Sequence, residues 1–178
     1  MHTNSLPDTT PQKPGFFKKP GFLPRYPIVV QRLTPDRETM TDLNALCPRW
    51  KELRAASRAA RERAWAPYSQ YHVGAAALAA SGEILTGCNV ENASYGLTIC
   101  AERVAMCSAV AAGHRDVQAV CVSLTGVPVP CGACRQFLHE FNPEMLILLD
   151  DVSKSDESPP EILRLSDLLP RAFRLAQD

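Results

Sequence analysis

Residues 98–103 read TICAER: a thiol stands two residues before a carboxylate, and an arginine follows. On the flank of a helix, positions two apart point to nearly opposite sides. Cys100 and Glu102 can therefore serve one target only if a helix begins here and the target lies over the end of its axis. The pattern is helical from about Thr98 to Ala112, and Gly113 ends it. A second stretch, VPCGACRQF from Val129, has the same form: Pro130 and Gly132 shape a turn into a short helix over 132–141, stopped before Pro143. Two helix N-termini then aim Cys100, Cys131 and Cys134 at one point.

The elements around these two starts define the fold class. Trp50, Leu53, Ser57, Ala60 and Ala64 recur at helical spacing after Pro48, a residue suited to a first turn. YHVGAAALAA and EILTGCNVEN flank Ser81-Gly82 and read as a β-hairpin with a two-residue turn. VQAVCVSL (117–124) and MLILL (145–149) are apolar strands, residues 150–160 an exposed acidic loop, 161–165 a last strand and 166–173 a short closing helix. The order predicts an α/β domain, a mixed sheet with helices on both faces. Seven of the fifteen prolines lie between Pro7 and Pro35, so residues 1–40 read as a flexible tail ahead of a domain over 41–178.

Composition bounds the function. The chain has 178 residues and zero formal net charge, which disfavours a partner made of nucleic-acid phosphates. No apolar run approaches a membrane span. Seven cysteines, an odd number, and no secretory h-region favour a reducing compartment, the cytoplasm, where clustered thiols bind metal or do chemistry. The C-x-x-C pair alone fits either a redox or a metal site; Cys100 at a second helix start favours the metal. Helix N-termini favour thiolates, and three thiolates suit Zn²⁺. Cys47, Cys88, Cys107 and Cys121 lack ligand spacing, so the site reads as open, with one position for water. Glu102 then gains a role as the carboxylate that accepts the water proton. Arg103 is either a surface ion pair or a donor to the sulfurs that offsets their charge.

Cys-Ala-Glu followed by Pro-Cys-x-x-Cys resembles the signature of the zinc nucleobase deaminases. APYSQYHVGAA (66–76), GCNVENASYGLTICAER (87–103), PCGACRQFL (130–138) and DLLPRAF (167–173) together look like the cytidine deaminase family, its small homotetrameric nucleoside-acting branch. The resemblance implies a three-layer α/β/α fold on a five-stranded mixed sheet. It implies hydrolytic deamination of cytidine and 2′-deoxycytidine in pyrimidine salvage, with one Zn²⁺ per chain and Glu102 as proton shuttle. It also implies that Asn89 and Glu91 hold the ribose, side by side on a strand, that backbone at Ala101 touches the pyrimidine edge, and that Phe173 reaches a neighbouring subunit's site. Tyr71 stands where the family often has Phe, adding a hydroxyl to the pocket wall. The alternatives are a related aminohydrolase such as blasticidin deaminase, a zinc-folded interaction module, and an editing enzyme on single-stranded nucleic acid.

Overall fold

A computed structural model describes residues 47–175. The expected tail over 1–40 and a fold beginning near Thr41 lie outside these residues. In chain order the elements are α1 (Trp50–Arg61), β1 (Gly74–Ala79), β2 (Ile84–Cys88), a 3₁₀ turn (Tyr95–Leu97), α2 (Ala101–Ala111), β3 (Val117–Leu124), α3 (Gly132–His139), β4 (Leu146–Asp151), β5 (Glu161–Arg164) and α4 (Leu165–Leu168). The strands form one sheet in the order β2-β1-β3-β4-β5. Only β3 and β4 pair in parallel; the other neighbours are antiparallel. The parallel pair needs a crossover, and α3 supplies it.

The period-two alternation of each strand divides the core into two layers. Ala75, Ala77, Val120, Val122, Ile147 and Leu149 face α2 and α3, where Met106 and Leu138 are buried. Ala76, Leu78, Ala119, Cys121 and Leu148 face α1, against Trp50 and Leu53. The sheet thus carries one helix on one face and the remaining helices on the other, the three layers expected. Each fully buried Leu, Ile or Met contributes about 1.5–3 kcal/mol, so both layers are substantial. The acidic loop expected over 150–160 begins later, since Asp150 and Asp151 belong to β4, and the Asp150 carboxylate is buried at the end of the α1 layer. It accepts from Arg58 Nε at 2.7 Å and Nη2 at 2.8 Å, and from Ser123 Oγ at 2.7 Å. Arg58 continues to Asp156, and Arg54 donates to the Ser158 carbonyl at 2.8 Å, so the acidic loop is held to α1.

Three local expectations are corrected. The hairpin turn is longer than two residues: Leu78 pairs with Ile84, and Ala79 N donates to Glu83 O at 2.9 Å. That leaves Ala80, Ser81 and Gly82 in the loop, with Gly82 at φ +89°, the left-handed place where glycine closes a three-residue hairpin. The helix after TIC starts at Ala101, not Thr98, because Ile99 is drawn into a β-bridge with Val90. The closing helix spans only Leu165–Leu168. Pro170 cannot continue it, and Arg171 turns left-handed at φ +63°.

Candidate active site

Cys100 is the N-cap of α2 and Cys131 the N-cap of α3; Cys134 lies one turn into α3. Both helices run on the same face of the sheet, so their N-terminal ends converge. The Cys100 and Cys131 sulfurs are 4.0 Å apart, and those of Cys131 and Cys134 3.5 Å apart. All three lie within 4.8 Å of one another, and no further Cys, His or carboxylate among the described residues joins the group. A tetrahedral zinc with bonds of about 2.3 Å sets its sulfurs about 3.8 Å apart, so the cluster fits this ion.

The electrostatics point the same way. Cys100 is lowered to about 5, first by the hydrogen bond from Cys134 and also by Arg103. Cys134 is held far above the usual thiol range, first by that same bond to Cys100 and then by burial. The Cys100 thiolate thus forms at the expense of the Cys134 one, and a cation bound between them favours the ionised form of both. Arg103 Nη2 lies 3.7 Å from the Cys100 sulfur, while its Nε is buried without a hydrogen-bond partner. Its guanidinium also donates to Thr98 O at 3.4 Å, so this side chain faces the start of α2 and the Cys100 sulfur.

A cavity of about 280 Å³ opens beside the sulfurs, with Tyr71, Asn89, Glu91, Cys100, Ala101, Glu102 and Cys131 in its wall. Glu102 is only 4 % exposed. Its carboxyl is raised above the ordinary range, chiefly by burial, with a further upward push from Cys100; its own backbone N–H and Cys134 work the other way. A buried carboxyl whose proton is held more tightly than usual is suited to taking and returning one.

Asn89 and Glu91 share this wall but, contrary to the expected placement on a strand, lie beyond it, because β2 ends at Cys88. Val90 between them bridges Trp65 and Ile99, and this keeps the two flanking side chains on the cavity side. Asn89 Oδ1 accepts from Val73 N at 2.9 Å, and its Nδ2 donates to Tyr71 O at 2.8 Å. The amide therefore braces the backbone under Tyr71 and keeps one N–H for other use. Phe173 is not among the residues that line this cavity. It is 70 % exposed, and its carbonyl accepts from Gln136 Nε2 at 2.9 Å.

Two further residues escape a reading by spacing. Arg135 donates from Nε to Pro130 O at 2.7 Å and from Nη1 to Leu168 O at 2.8 Å, clamping the Cys131 turn to α4. Ser69 reaches Glu91 across 22 residues of sequence. Both lie within the stretches that carry the family resemblance, but only the folded chain shows their partners.

Residues 50–149 match the family model described as the cytidine and deoxycytidylate deaminase zinc-binding region. A cytidine deaminase of Mycobacterium tuberculosis is 44 % identical over 128 residues, 71 % of this chain and 90 % of that protein. One of Halalkalibacterium halodurans is 46 % identical over 117 residues, 64 % of this chain and 86 % of that protein. Among solved structures, a cytidine deaminase from Burkholderia pseudomallei superposes with a TM-score of 0.64 at 45 % identity, covering 68 % of this chain and 97 % of that one. The family model spans more than half of the chain, and the sulfur cluster lies inside the matched region, so the chain belongs to the cytidine deaminase family as a zinc-binding enzyme.

Proposed function

We propose that this enzyme hydrolyses cytidine and 2′-deoxycytidine to uridine and 2′-deoxyuridine, releasing ammonia, as a step of pyrimidine salvage in the cytoplasm. The observation that carries the reading is the placement of the buried Glu102 carboxyl in one cavity wall with Cys100 and Cys131, whose sulfurs cluster with that of Cys134. Cys100, Cys131 and Cys134 would hold the zinc, which would supply the Lewis acid that makes water a nucleophile near neutral pH. Glu102 takes the proton of the attacking water. It passes that proton to the ring nitrogen beside the amine-bearing carbon, then carries the second proton from the newly added hydroxyl to the amine, so that the C–N bond breaks, the C–O becomes a carbonyl, and the products are the uridine nucleoside and ammonia. Burial keeps the carboxyl from exchanging its proton with bulk water during the cycle.

The other residues bind and orient. Glu91 accepts from a ribose hydroxyl, Asn89 supports it with its remaining N–H, backbone at Ala101 meets the pyrimidine edge, and Tyr71 walls the base. Arg103 keeps the sulfur charge from blunting the metal. Phe173 serves a neighbouring subunit in a homotetramer, a role supported by its exposure and its absence from the wall of its own chain's cavity. The neutral charge argues against a polynucleotide substrate.

The test is a steady-state ammonia-release assay with cytidine, 2′-deoxycytidine, CMP and cytosine, with zinc quantified per chain. Turnover of the two nucleosides, little of the nucleotide or free base, and one zinc per chain are expected. A fully zinc-loaded protein that releases no ammonia from either nucleoside overturns the reading. So does metal spectroscopy that finds a fourth protein ligand.

A further inference from the structure

We infer that Ser69 is a positioning residue for ribose recognition: its hydroxyl fixes the Glu91 carboxylate and ties it to the backbone beneath Tyr71. The inference rests on the reading of Glu91 as the ribose acceptor and adds a residue to it. Glu91 Oε2 accepts from Tyr68 N at 2.9 Å and Ser69 N at 3.2 Å. Its Oε1 accepts from Ser69 Oγ, the only side-chain donor to Glu91 among the described residues. A carboxylate has about four acceptor sites; three protein donors leave one for a substrate hydroxyl and fix its direction.

Ser69 has a second contact. Its Oγ accepts from Tyr71 N at 3.0 Å, so one hydroxyl joins the acceptor for the sugar to the residue that walls the base. The turn between them is built to hold this shape. Gln70 sits at φ +57°, a left-handed conformation costing a non-glycine residue about 1 kcal/mol. Its N–H donates to Ala66 O at 3.0 Å and its side-chain amide to Pro67 O at 3.0 Å. Asn89 grips the following residues through Tyr71 O and Val73 N. These contacts fix the backbone of the turn, whose Tyr68 and Ser69 N–H groups hold one oxygen of the Glu91 carboxylate; the Ser69 hydroxyl holds the other and so sets the plane of the group. Glu91 is accordingly held below the usual carboxylate range, with the Ser69 hydroxyl the largest cause and the N–H groups of Tyr68 and Ser69 adding to it.

The experiment compares cytidine with its 3′-deoxy analogue in the zinc-loaded full-length wild type, Ser69→Ala and Ser69→Thr, reading kcat and KM separately. Wild type is expected to favour cytidine. Ser69→Ala is expected to raise KM for cytidine roughly tenfold, the loss of one charge-assisted hydrogen bond. The analogue, which lacks the hydroxyl, is expected to be affected far less, so discrimination shrinks; Ser69→Thr, which keeps the hydroxyl on an exposed site, restores it. Equal losses on both nucleosides in Ser69→Ala, or no recovery in Ser69→Thr, overturn the inference while leaving the ribose role of Glu91 intact. A wild type that treats both nucleosides alike overturns both. If Ser69→Ala does not fold, Ser69→Cys replaces it, with the same loss of discrimination expected from its weak donor.

Discussion

At the scale of single residues, chemistry and metal binding separate cleanly. Glu102 and Cys100 are two positions apart, yet their proposed roles differ: one moves protons and the other holds the ion. Glu102→Gln keeps the volume and hydrogen bonding of the side chain but cannot shuttle a proton. It is expected to retain one zinc per chain while turnover falls by about 10²- to 10⁴-fold or more, the range for loss of a positioned acid/base. Cys134→Ser is expected to lose the zinc itself, since the buried sulfur completes the cluster. Metal analysis beside kcat distinguishes the two, and near-normal turnover in Glu102→Gln removes Glu102 from the mechanism.

At the scale of elements, the site depends on how closely α2 can approach the sheet. A Cβ built on Gly87 falls 2.3 Å from Ala105 N and 2.7 Å from Ala101 O, both backbone of α2. The helix that begins with Cys100 therefore rests directly on β2, and only glycine permits it. Gly87→Ala is expected to destabilise the fold by about 1–3 kcal/mol, the usual cost of overpacking, and to weaken zinc retention because the displaced turn carries a ligand. Gly96→Ala is the control: a Cβ there meets nothing within 4 Å, and thermal melts should show little change. If Gly87→Ala melts like the control, close approach is not what seats α2. This dependence was only partly legible beforehand. TICAER and PCGAC signal helix starts through local chemistry, and the strands as short apolar runs that end up buried on both faces, so the three layers and the thiol cluster follow from sequence. The bridge between Val90 and Ile99, the three-residue hairpin loop and the early end of α4 depend on partners distant in sequence or on one left-handed residue. The contacts of Ser69 and Arg135 are likewise tertiary and have no periodic signature.

At the scale of the whole molecule, the described surface has apolar residues that its own core does not use. Trp65, Tyr95, Leu97, Val127, Phe173 and Leu175 are all exposed, while no helix among the described residues is long and apolar enough to cross a membrane. Exposed aromatic and aliphatic side chains in such number suit contact between protein subunits. Phe173 gives this reading a sharp test, because Gln136 anchors its backbone while the residue is exposed and takes no part in the wall of its own chain's cavity. If the ring completes a neighbour's base pocket, Phe173→Ala is expected to keep its zinc but raise KM. Mixed with Glu102→Gln by co-refolding, it should then form hybrid assemblies in which a subunit with an intact Glu102 receives Phe173 from its inactive neighbour. Activity per intact Glu102 is expected to rise above that of Phe173→Ala alone, with KM returning toward wild type in proportion to the hybrids formed. A mixture whose activity equals the sum of its parts, while sedimentation shows mixed oligomers, assigns Phe173 to packing within its own chain and leaves each subunit's site self-contained.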